Sequence, residues 1–565
     1  MVMRNIKHMT RWFFGKTTQL SESIHISDTE YGYLLRGKPS IIEDSIVIDN
    51  NDWFLLLDGF ILNKSLLLAR SALSWPETLF GLYRSYGNEF ILKFKGSFAG
   101  ILIDKKKKTC IGFVDPIGDR PIFYASNGVI SSDFNWIVEW MNEQNYSLSP
   151  DIEGTKRFLL FGYMVDGKTH VKEITRVFPG NILDISTMAE SAYFRFSNAK
   201  PLTCSDEEII EQIEDSFKRA LKLEFEKDEE HHCRHLVDLS GGMDARTVCY
   251  IAKTNGFENI TNIIYSQSNS YERKIAEQIA KDLNNEYFFY SLDSAKFIYD
   301  IDRITDLNYG LTYYAGTTGV IRILGALDNS TFGIEHTGIL GDVYEGSFAL
   351  HPYFEKPFID SRWRFCKTGN LDIDTSFLQN FPENELYGFY TRGLLAGATT
   401  SLIRRPFFET FSPFQDTDWL NLYFSIPLQK RMKEKIYLKW LRDKHPAALK
   451  IPYARLMCNA ESSKLHVALK TYPYRAVNKY LYAVLNHIGF PIETNSRLTM
   501  NPFEYWWNTN AGLRKFVTEY FEDNLERLSV DRNLYSFAKT VYAQGSLLDK
   551  TVVMTVLSVY KRYFC

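Results

Sequence analysis

A short loop rich in small residues, Ser-Gly-Gly-Met-Asp at residues 240–244, carries the residue types that phosphate chemistry needs. Its glycines let the backbone approach a ligand closely, and the N–H groups at the start of a helix attract anions. The carboxylate of its aspartate is an oxygen ligand that suits Mg²⁺, which bridges phosphate oxygens. The pattern therefore predicts a nucleotide site formed by Ser240, Gly241, Gly242 and Asp244. A tight turn that needs glycine only for its dihedral angles is an equal alternative for this loop taken alone.

The neighbouring residues place this loop between a buried strand and a helix. Residues 235–239 are an apolar run typical of a buried strand, and residues 245–252 have a helical pattern. Strands predicted at 260–265 and 287–290 then alternate with a helix predicted at 271–283. This alternation predicts an α/β fold with a doubly wound parallel sheet and right-handed crossovers. Ligands of such sheets lie at the carboxyl ends of the strands.

A second glycine-rich loop follows the strand predicted at residues 332–336. It reads Thr-Gly-Ile-Leu-Gly-Asp at residues 337–342 and contains one acid, Asp342. Because the carboxyl ends of parallel strands meet at one edge of a sheet, Asp342 is expected to share a Mg²⁺ ion with Asp244. The strand end at Tyr265 lies at the same predicted edge. Two loops of this kind weaken the interpretation that either is only a turn.

Changes of pattern along the chain predict three parts. Short strands and a helix make residues 1–198 an α+β domain, and a long helical periodicity begins at residues 198–205. Residues 199–460 hold the predicted parallel sheet. Residues 461–565 are predicted to be a helical C-terminal extension packed on that sheet domain, with their aromatic stripes in its core.

Composition limits the classes of function. The chain has 565 residues and a formal net charge of −3, which gives no general attraction for nucleic acid or for an anionic membrane. Seven cysteines without paired spacing predict a reducing, cytoplasmic location without disulfides. No apolar stretch is long enough to span a membrane. The cluster at residues 231–235, with Cys233 and His235, suggests zinc as a minor alternative, but no second ligand pair follows it.

The order of three motifs resembles that of the asparagine synthetase family along residues 1–460. Residues 239–245, Leu-Ser-Gly-Gly-Met-Asp-Ala, resemble its pyrophosphate loop, and residues 337–342 resemble its second loop. Glu-Thr-Phe-Ser-Pro-Phe-Gln-Asp at residues 409–416, followed after eight residues by Ser-Ile-Pro at residues 425–427, resembles the third motif at the family's spacing. Together, the three motifs are specific.

The first part of the chain is similar to the class II glutamine amidotransferase domain of the same family. The similar stretches are residues 58–63, 92–99 and 115–124. The resemblance implies that residues 1–198 form an Ntn-hydrolase-like sandwich. It implies that residues 199–460 form a PP-loop ATP pyrophosphatase domain.

The activity that the resemblance implies is ATP-dependent amide formation. In this family a carboxylate becomes an acyl-AMP with release of pyrophosphate, and ammonia or an amine then attacks it. ATP and Mg²⁺ are the implied cofactors, with Asp244 and Asp342 as metal ligands and Glu409 acting on the nucleophile. Loop amides and the metal would stabilise the charge that grows on pyrophosphate. The adenine is expected against the backbone of Leu239, Tyr265, Thr337 and Gly338.

The chain departs from the family pattern at three synthetase positions. Ala245 replaces a serine, Val343 replaces an acid, and Met457 replaces a lysine that stabilises the acyl-adenylate. If the chain is active, another cation must take the lysine's role, and the sequence offers Arg455 and Lys464 as candidates. Lys464 is equally interpreted as a solvated helix residue.

Two classes of function therefore remain open. One is an amide-forming ligase that joins a small-molecule, glycan or peptide carboxylate to ammonia or an amine. The other is a catalytically inactive relative that keeps the fold as a binding scaffold. The departures favour the scaffold, whereas the retained Asp244, Asp342 and Glu409 favour the ligase. Neither sequence nor resemblance decides whether the chain forms a homodimer.

Glutaminase activity is expected to be absent. The family uses a cysteine at the mature N-terminus as nucleophile, with its own α-amino group as base, and this chain has Val2 at that position. Asp58 and Phe60 also replace the family's asparagine and glutamate in the glutamine pocket. Pure protein incubated with glutamine should release no glutamate above a buffer blank. Measurable release in a coupled glutamate assay would contradict this prediction.

Overall fold

The computed structural model describes residues 10–20, 23–38, 40–316, 319–351, 353–359, 363–453, 458–459, 462 and 498–564. Its first part contains two antiparallel sheets, each of six strands among these residues. The strands are β1 (Arg11–Lys16), β2 (Ile24–His25), β3 (Tyr31–Arg36), β4 (Ile46–Asp49), β5 (Trp53–Ile61), β6 (Gly96–Asp104), β7 (Thr109–Val114), β8 (Phe123–Ala125), β9 (Ile130–Ser131), β10 (Ile174–Arg176), β11 (Asn181–Asp184) and β12 (Ala189–Ala192). One sheet has the order β10-β8-β9-β1-β3-β2 and the other β12-β11-β7-β6-β5-β4.

Alternating side chains pack these two sheets face to face and against helices. In β5, Phe54 and Leu56 belong to the core between the sheets, whereas Leu55 and Leu57 belong to a core on the outer face. This follows from the two-residue period of a strand, which sends successive side chains to opposite faces. The helices of this part are α1 (Lys64–Ser71), α2 (Trp75–Tyr86), α3 (Phe134–Glu143) and α4 (Ile152–Phe161). Helices α1 and α2 cover one sheet and α3 covers the other, which gives four layers.

The second part is built on a parallel sheet, as the sequence predicts. Its strands are β13 (Arg234–Asp238), β14 (Ile260–Ser266), β15 (Glu286–Ser291), β16 (Phe332–His336) and β17 (Thr410–Phe411). The order across the sheet is β15-β14-β13-β16-β17, and every neighbouring pair is parallel. The strand order therefore reverses between β13 and β16, and α/β sheets bind ligands at such a reversal.

Helices cover both faces of the parallel sheet. Val237 and Ile264 point into one core, and Leu236 and Ile263 point into the other, which includes the C-terminal residue Trp506. The described helices are α5 (Asp206–Glu230), α6 (Met243–Thr254), α7 (Tyr271–Asp282), α8 (Ile301–Asn308), α9 (Val320–Leu324), α10 (Gly341–Tyr344), α11 (Asn384–Gly388), a π-helix (Phe389–Gly397), α12 (Thr417–Ser425), α13 (Leu428–Arg431), α14 (Lys435–Lys444), α15 (Pro446–Lys450), α16 (Phe503–Thr509), α17 (Ala511–Asn524), α18 (Arg532–Gln544) and α19 (Leu547–Tyr563). None of them is long and apolar enough to cross a membrane.

Most predicted elements occur within a few residues of their predicted bounds. The strand predicted at residues 332–336 is observed at those residues, and the helix predicted at 271–283 is observed at Tyr271–Asp282. Strands β1 and β3, which pair with each other, were not predicted. The division at residues 198 and 460 remains a prediction, although the change from antiparallel to parallel sheets falls near the first of these positions.

A buried charge network joins helix α5 to two strands of the parallel sheet. The ring nitrogens of His336 lie 2.6 Å from Glu224 Oε1 and 2.7 Å from Asp228 Oδ2, and His235 Nδ1 lies 2.9 Å from Asp228 Oδ2. Burial alone would lower the pKa of His336, but Asp228 and Glu224 raise it to about 9. These atoms could group around a metal, but both nitrogens of His336 already bond to carboxylates. Cys233, paired with His235 in the zinc alternative, does not belong to this group.

A second buried network joins the two parts of the chain. Arg120 Nη1 donates to Asp58 Oδ1 at 2.9 Å and Nη2 donates to Glu409 Oε1 at 2.5 Å, and all three side chains are at most 4% exposed. Nearby, Arg405 donates to Asp119 Oδ2 at 2.7 Å. Buried ions require partners because desolvation is costly. These pairs therefore fix how the antiparallel sheets sit against the parallel sheet.

The His336 network should make stability depend on pH. The pKa of His336 in the folded protein is about 9, above its usual value of 6.5, so protonation stabilises the fold below pH 6.5. That contribution should be lost as the pH rises through 9. In urea unfolding of the wild type, the free energy of unfolding should fall by a few kcal/mol as the pH rises from 6.5 past 9. The expected fall is about 1.4 kcal/mol for each unit of pKa difference. His336→Gln should lack this pH-dependent component, whereas the exposed control His25→Gln should keep it. An unchanged pH profile in His336→Gln would refute the prediction.

The Arg120 network should contribute strongly to the free energy of unfolding. Arg120→Met leaves two carboxylates buried without their cation and should cost about 3–5 kcal/mol, measured by urea denaturation. The double variant Arg120→Met/Glu409→Met should recover part of that loss because it removes one of the unpaired charges. Lys222 and Glu226 form an ion pair on the surface of α5 in which the side chains are 65% and 44% exposed, so Lys222→Met should cost less than about 1 kcal/mol. Equal losses for Arg120→Met and Lys222→Met would show that burial does not govern these pairs.

Candidate active site

The first glycine-rich loop lies between the carboxyl end of β13 and the start of α6. Gly242 is the N-cap of α6 and provides no side-chain cap, so the first backbone N–H groups of this helix are not satisfied by a capping side chain. Within the loop, the hydroxyl of Ser240 accepts a hydrogen bond from the Gly242 N–H at 3.2 Å. The loop therefore presents backbone donors and a helix N-terminus to the space above the sheet.

The second glycine-rich loop rests directly against the first. A Cβ added at Gly338 would lie 2.8 Å from the Cβ of Asp244 and 2.8 Å from the N of Ala245. A Cβ at Gly341 would overlap the carboxyl group of Asp244. Between these glycines Leu340 has a φ of 68°, a left-handed conformation that is strained for a residue with a side chain. The two motifs require glycine because they approach each other, and this interaction goes beyond the needs of a turn.

A cavity of about 330 Å³ opens at the carboxyl ends of β13, β14 and β16, where the strand order reverses. The structure brings most of the predicted nucleotide residues together in its lining. These residues are Leu239, Ser240, Gly242, Asp244, Tyr265, Thr337 and Gly338. Gly241 is buried beneath the loop, where its carbonyl accepts a hydrogen bond from Arg246. Asp342 lines the adjoining cavity on the other side of the second loop.

Acidic side chains converge on Asp244. Burial raises the pKa of Asp244 well above its usual range, and the negative charges of Glu345, Asp342 and Glu434 raise it further. Asp244 Oδ1 is buried and has no hydrogen-bond partner among the described residues. An unsatisfied carboxylate oxygen among other acids fits a divalent cation such as Mg²⁺. Asp244 and Asp342 are the predicted ligands, and Glu345, whose carboxylate accepts from the Tyr453 hydroxyl at 3.2 Å, adds negative charge near Asp244.

A third buried network fixes the wall of this strand-end cavity. The Tyr265 hydroxyl donates to Asp238 Oδ2 at 3.0 Å, and Arg404 donates to the same oxygen at 3.2 Å and to Glu335. Burial and the charge of Asp238 raise the pKa of the Tyr265 hydroxyl. Sequence reasoning did not identify Asp238 or Arg404 as site residues. In the sequence, Asp238 could have been recognised as a polar residue at the end of an apolar strand. No sequence feature marked Arg404.

Arg246 holds the first loop against the segment that follows helix α15. Its side chain is fully buried and donates to the carbonyl groups of Gly241, Ala448, Ile451 and Pro452. Burial lowers its pKa to about 10. Its acceptors among the described residues are carbonyl groups and not carboxylates. The loop backbone is therefore fixed from below by residues that lie far away in the sequence.

Of the three residues predicted to be catalytic, Glu409 is the one that the structure describes. Glu409 lies before β17, level with Glu335 and thus below the carboxyl edge of the sheet, where its carbonyl accepts from the Glu335 N–H. Its side chain is 3% exposed and pairs with Arg120. The geometry therefore assigns Glu409 to the contact between the two parts and gives no support to its action on a nucleophile. Arg455 and Lys464, the candidate substitute cations, lie outside the described residues.

Comparison with known proteins agrees with the motifs. Residues 63–195 match the glutamine amidotransferase domain family. The chain is also similar to asparagine synthetase [glutamine-hydrolyzing] 1 of Bacillus subtilis (strain 168), with 25% identity over 187 residues, which is 31% of this chain and 28% of that relative. The similarity thus spans less than a third of either protein. The domain match and this similarity agree with the resemblance of the N-terminal part to the asparagine synthetase family.

Proposed function

We propose that the protein is an ATP-dependent amide-forming ligase of the asparagine synthetase type. A carboxylate oxygen of the substrate attacks the α-phosphorus of ATP, and the bond to pyrophosphate breaks to give an acyl-AMP. Ammonia or an amine then attacks the acyl carbon, which forms the amide and releases AMP and a proton. The observation that carries this proposal is the contact of the two glycine-rich loops at one strand-end cavity, with Asp244 between them.

The residues of the nucleotide cavity fit this chemistry. The backbone donors of residues 240–242 and the N-terminus of α6 would hold the phosphates, and the backbone at Leu239, Tyr265, Thr337 and Gly338 would face the adenine. Asp244 and Asp342, with Glu345 beside them, would hold Mg²⁺, which supplies positive charge to the departing pyrophosphate. The strand order of the sheet supports the PP-loop ATP pyrophosphatase fold that the resemblance implies.

The antiparallel part supports a ligase that does not hydrolyse glutamine. Its four layers fit an Ntn-hydrolase-like sandwich, and its carboxylate at Asp58 is occupied by Arg120. Phe60 is fully buried and packs edge-on against Phe411, with 5.8 Å between the ring centroids. A glutamine side chain would have to displace both contacts. Ammonia or a substrate amine is therefore the proposed nucleophile.

The alternative function is a catalytically inactive scaffold of the same family. The structural role of Glu409 favours this alternative because it removes one acid from the proposed chemistry. The two functions differ in nucleotide binding. Binding of Mg-ATP to a working site raises the melting temperature of the protein by mass action. A scaffold that has lost the site does not bind Mg-ATP, so its melting temperature does not rise.

Exchange of labelled pyrophosphate into ATP, dependent on a carboxylate, tests the ligase proposal. Asp244→Asn and Asp342→Asn each remove one formal charge from the proposed metal site. Each should reduce exchange at least a hundredfold, because charge stabilisation at such sites is worth several kcal/mol. The exposed acid Asp215 on α5 provides a matched control, and Asp215→Asn should exchange at the wild-type rate. Wild-type exchange in both site variants would remove these carboxylates from the mechanism.

The thermal shift with Mg-ATP tests the scaffold alternative. If Mg-ATP does not raise the melting temperature of the wild type or of any variant, the scaffold alternative is favoured.

A further inference from the structure

A second cavity of about 380 Å³ adjoins the nucleotide cavity. The loop at residues 337–343 separates the two: Thr337 and Gly338 line the nucleotide side, and Asp342 and Val343 line the other. Gly316 lines both cavities. A ligand in the second cavity would therefore lie against Asp342, and the two cavities adjoin at Gly316.

Small residues of the π-helix keep the second cavity open. Gly393, Ala396 and Gly397 line it, and the helix packs on the second loop through Leu340. The nearest neighbours of a Cβ built on Gly397 would be 3.5 and 3.6 Å away, so a larger residue would begin to fill the space. π-Helices are rare and occur often at functional sites. This wall fits a binding surface better than ordinary helix packing.

Aromatic rings form much of the remaining wall. They include Tyr163, Tyr313, Phe348, Trp363 and Phe365. The rings of Tyr313 and Phe365 have centroids 4.2 Å apart. Pockets of about 300–1,000 Å³ with aromatic linings bury the body of a drug-sized ligand, and flat rings stack on such walls. The cavity is therefore suited to a planar apolar group larger than the side chain of aspartate.

Positive charge lines the same cavity. Arg392 is exposed at its wall, and no ion pair or hydrogen bond involves its guanidinium among the described residues. The guanidinium of Arg364 donates to the carbonyl groups of Cys366 at 3.0 Å and Gly369, and to Asn370 Oδ1 at 3.1 Å. These acceptors are neutral, and within the described part of the chain neither arginine pairs with a carboxylate. One carboxylate, that of the predicted metal ligand Asp342, also lines the cavity. Two guanidinium groups against one carboxylate in a largely apolar lining attract an organic anion.

We propose that this second cavity binds the carboxylate substrate and that this substrate is an acid with a planar, aryl-type body. The inference rests on the proposed ligase function and specifies its substrate class. The aryl body lies between the aromatic wall and the π-helix, and Arg392 pairs with the carboxylate near the loop that faces the nucleotide. Arg392 also brings a cation to the place where the acyl-adenylate forms, in a protein that has Met457 where the family has its lysine.

Equilibrium binding without nucleotide tests the cavity separately from the ligase chemistry. Calorimetric titration of the full chain with indole-3-acetate and with phenylacetate should show saturable binding. The neutral analogue indole-3-acetamide should bind about tenfold more weakly because it cannot pair with Arg392. L-Aspartate should bind more weakly than either aryl acid. Absence of binding by both aryl acids, or tighter binding of aspartate, overturns the proposal.

Variants locate the binding. Ala396→Trp fills the space beside the π-helix and Arg392→Gln removes the cation, so each should weaken indole-3-acetate binding at least tenfold. Arg219→Gln, an exposed arginine on α5, should bind as the wild type does. Thr400→Leu is a second filling variant if Ala396→Trp melts early. Wild-type affinity in both a filling variant and Arg392→Gln refutes the site.

Pyrophosphate exchange distinguishes failure of the ligase proposal from failure of the substrate assignment. If the aryl acids bind but do not stimulate exchange, the ligase proposal is rejected and the binding cavity is kept. If aspartate alone stimulates exchange, the ligase proposal is kept and the aryl-acid assignment is rejected.

Discussion

The contact between the two glycine-rich loops is the constraint on which the site depends. Strands β13 and β16 are distant in the sequence but adjacent in the sheet, so the loops that follow them meet at one edge. The space at this edge is so limited that a Cβ at Gly338 or Gly341 would overlap Asp244. The glycines thus place a carboxylate between two loops at a helix N-terminus. A carboxylate buried beside other acids is unfavourable alone, and a bound cation would relieve it.

Buried charged groups around this edge hold the surrounding framework together. His336, the last residue of β16, pairs with the acids of helix α5, and Arg120 joins the antiparallel part to the segment before β17. Arg404 and Tyr265 share Asp238 at the cavity wall. Desolvated charges of this kind are costly when one partner is lost, so they specify a single arrangement of the elements. The antiparallel part thereby supports the parallel-sheet part, and Asp58, which accepts from Arg120, contributes to that support.

Two adjoining cavities with different linings divide the proposed reaction between them. Backbone donors and acids line the first, which suits a nucleotide with its metal, whereas aromatic rings and arginines line the second, which suits an organic acid. The second loop forms the wall between them and contributes Asp342 to one side and Gly338 to the other. Such an arrangement would bring a carboxylate to a phosphate and leave the body of the acid free to determine specificity.

The sequence by itself determined the local elements and the two loops, because strand and helix periods and glycine-rich turns arise from interactions between near neighbours. It also indicated that Ser240, Asp244 and Asp342 belong to one site. Only the tertiary structure decided the roles of residues whose partners lie far away in the chain. Glu409 resembles a catalytic acid in its motif, but it is buried against Arg120, 289 residues away. Glu345 and Arg392 belong to no recognised motif, and folding alone brings Glu345 close to Asp244 and Arg392 to the second cavity.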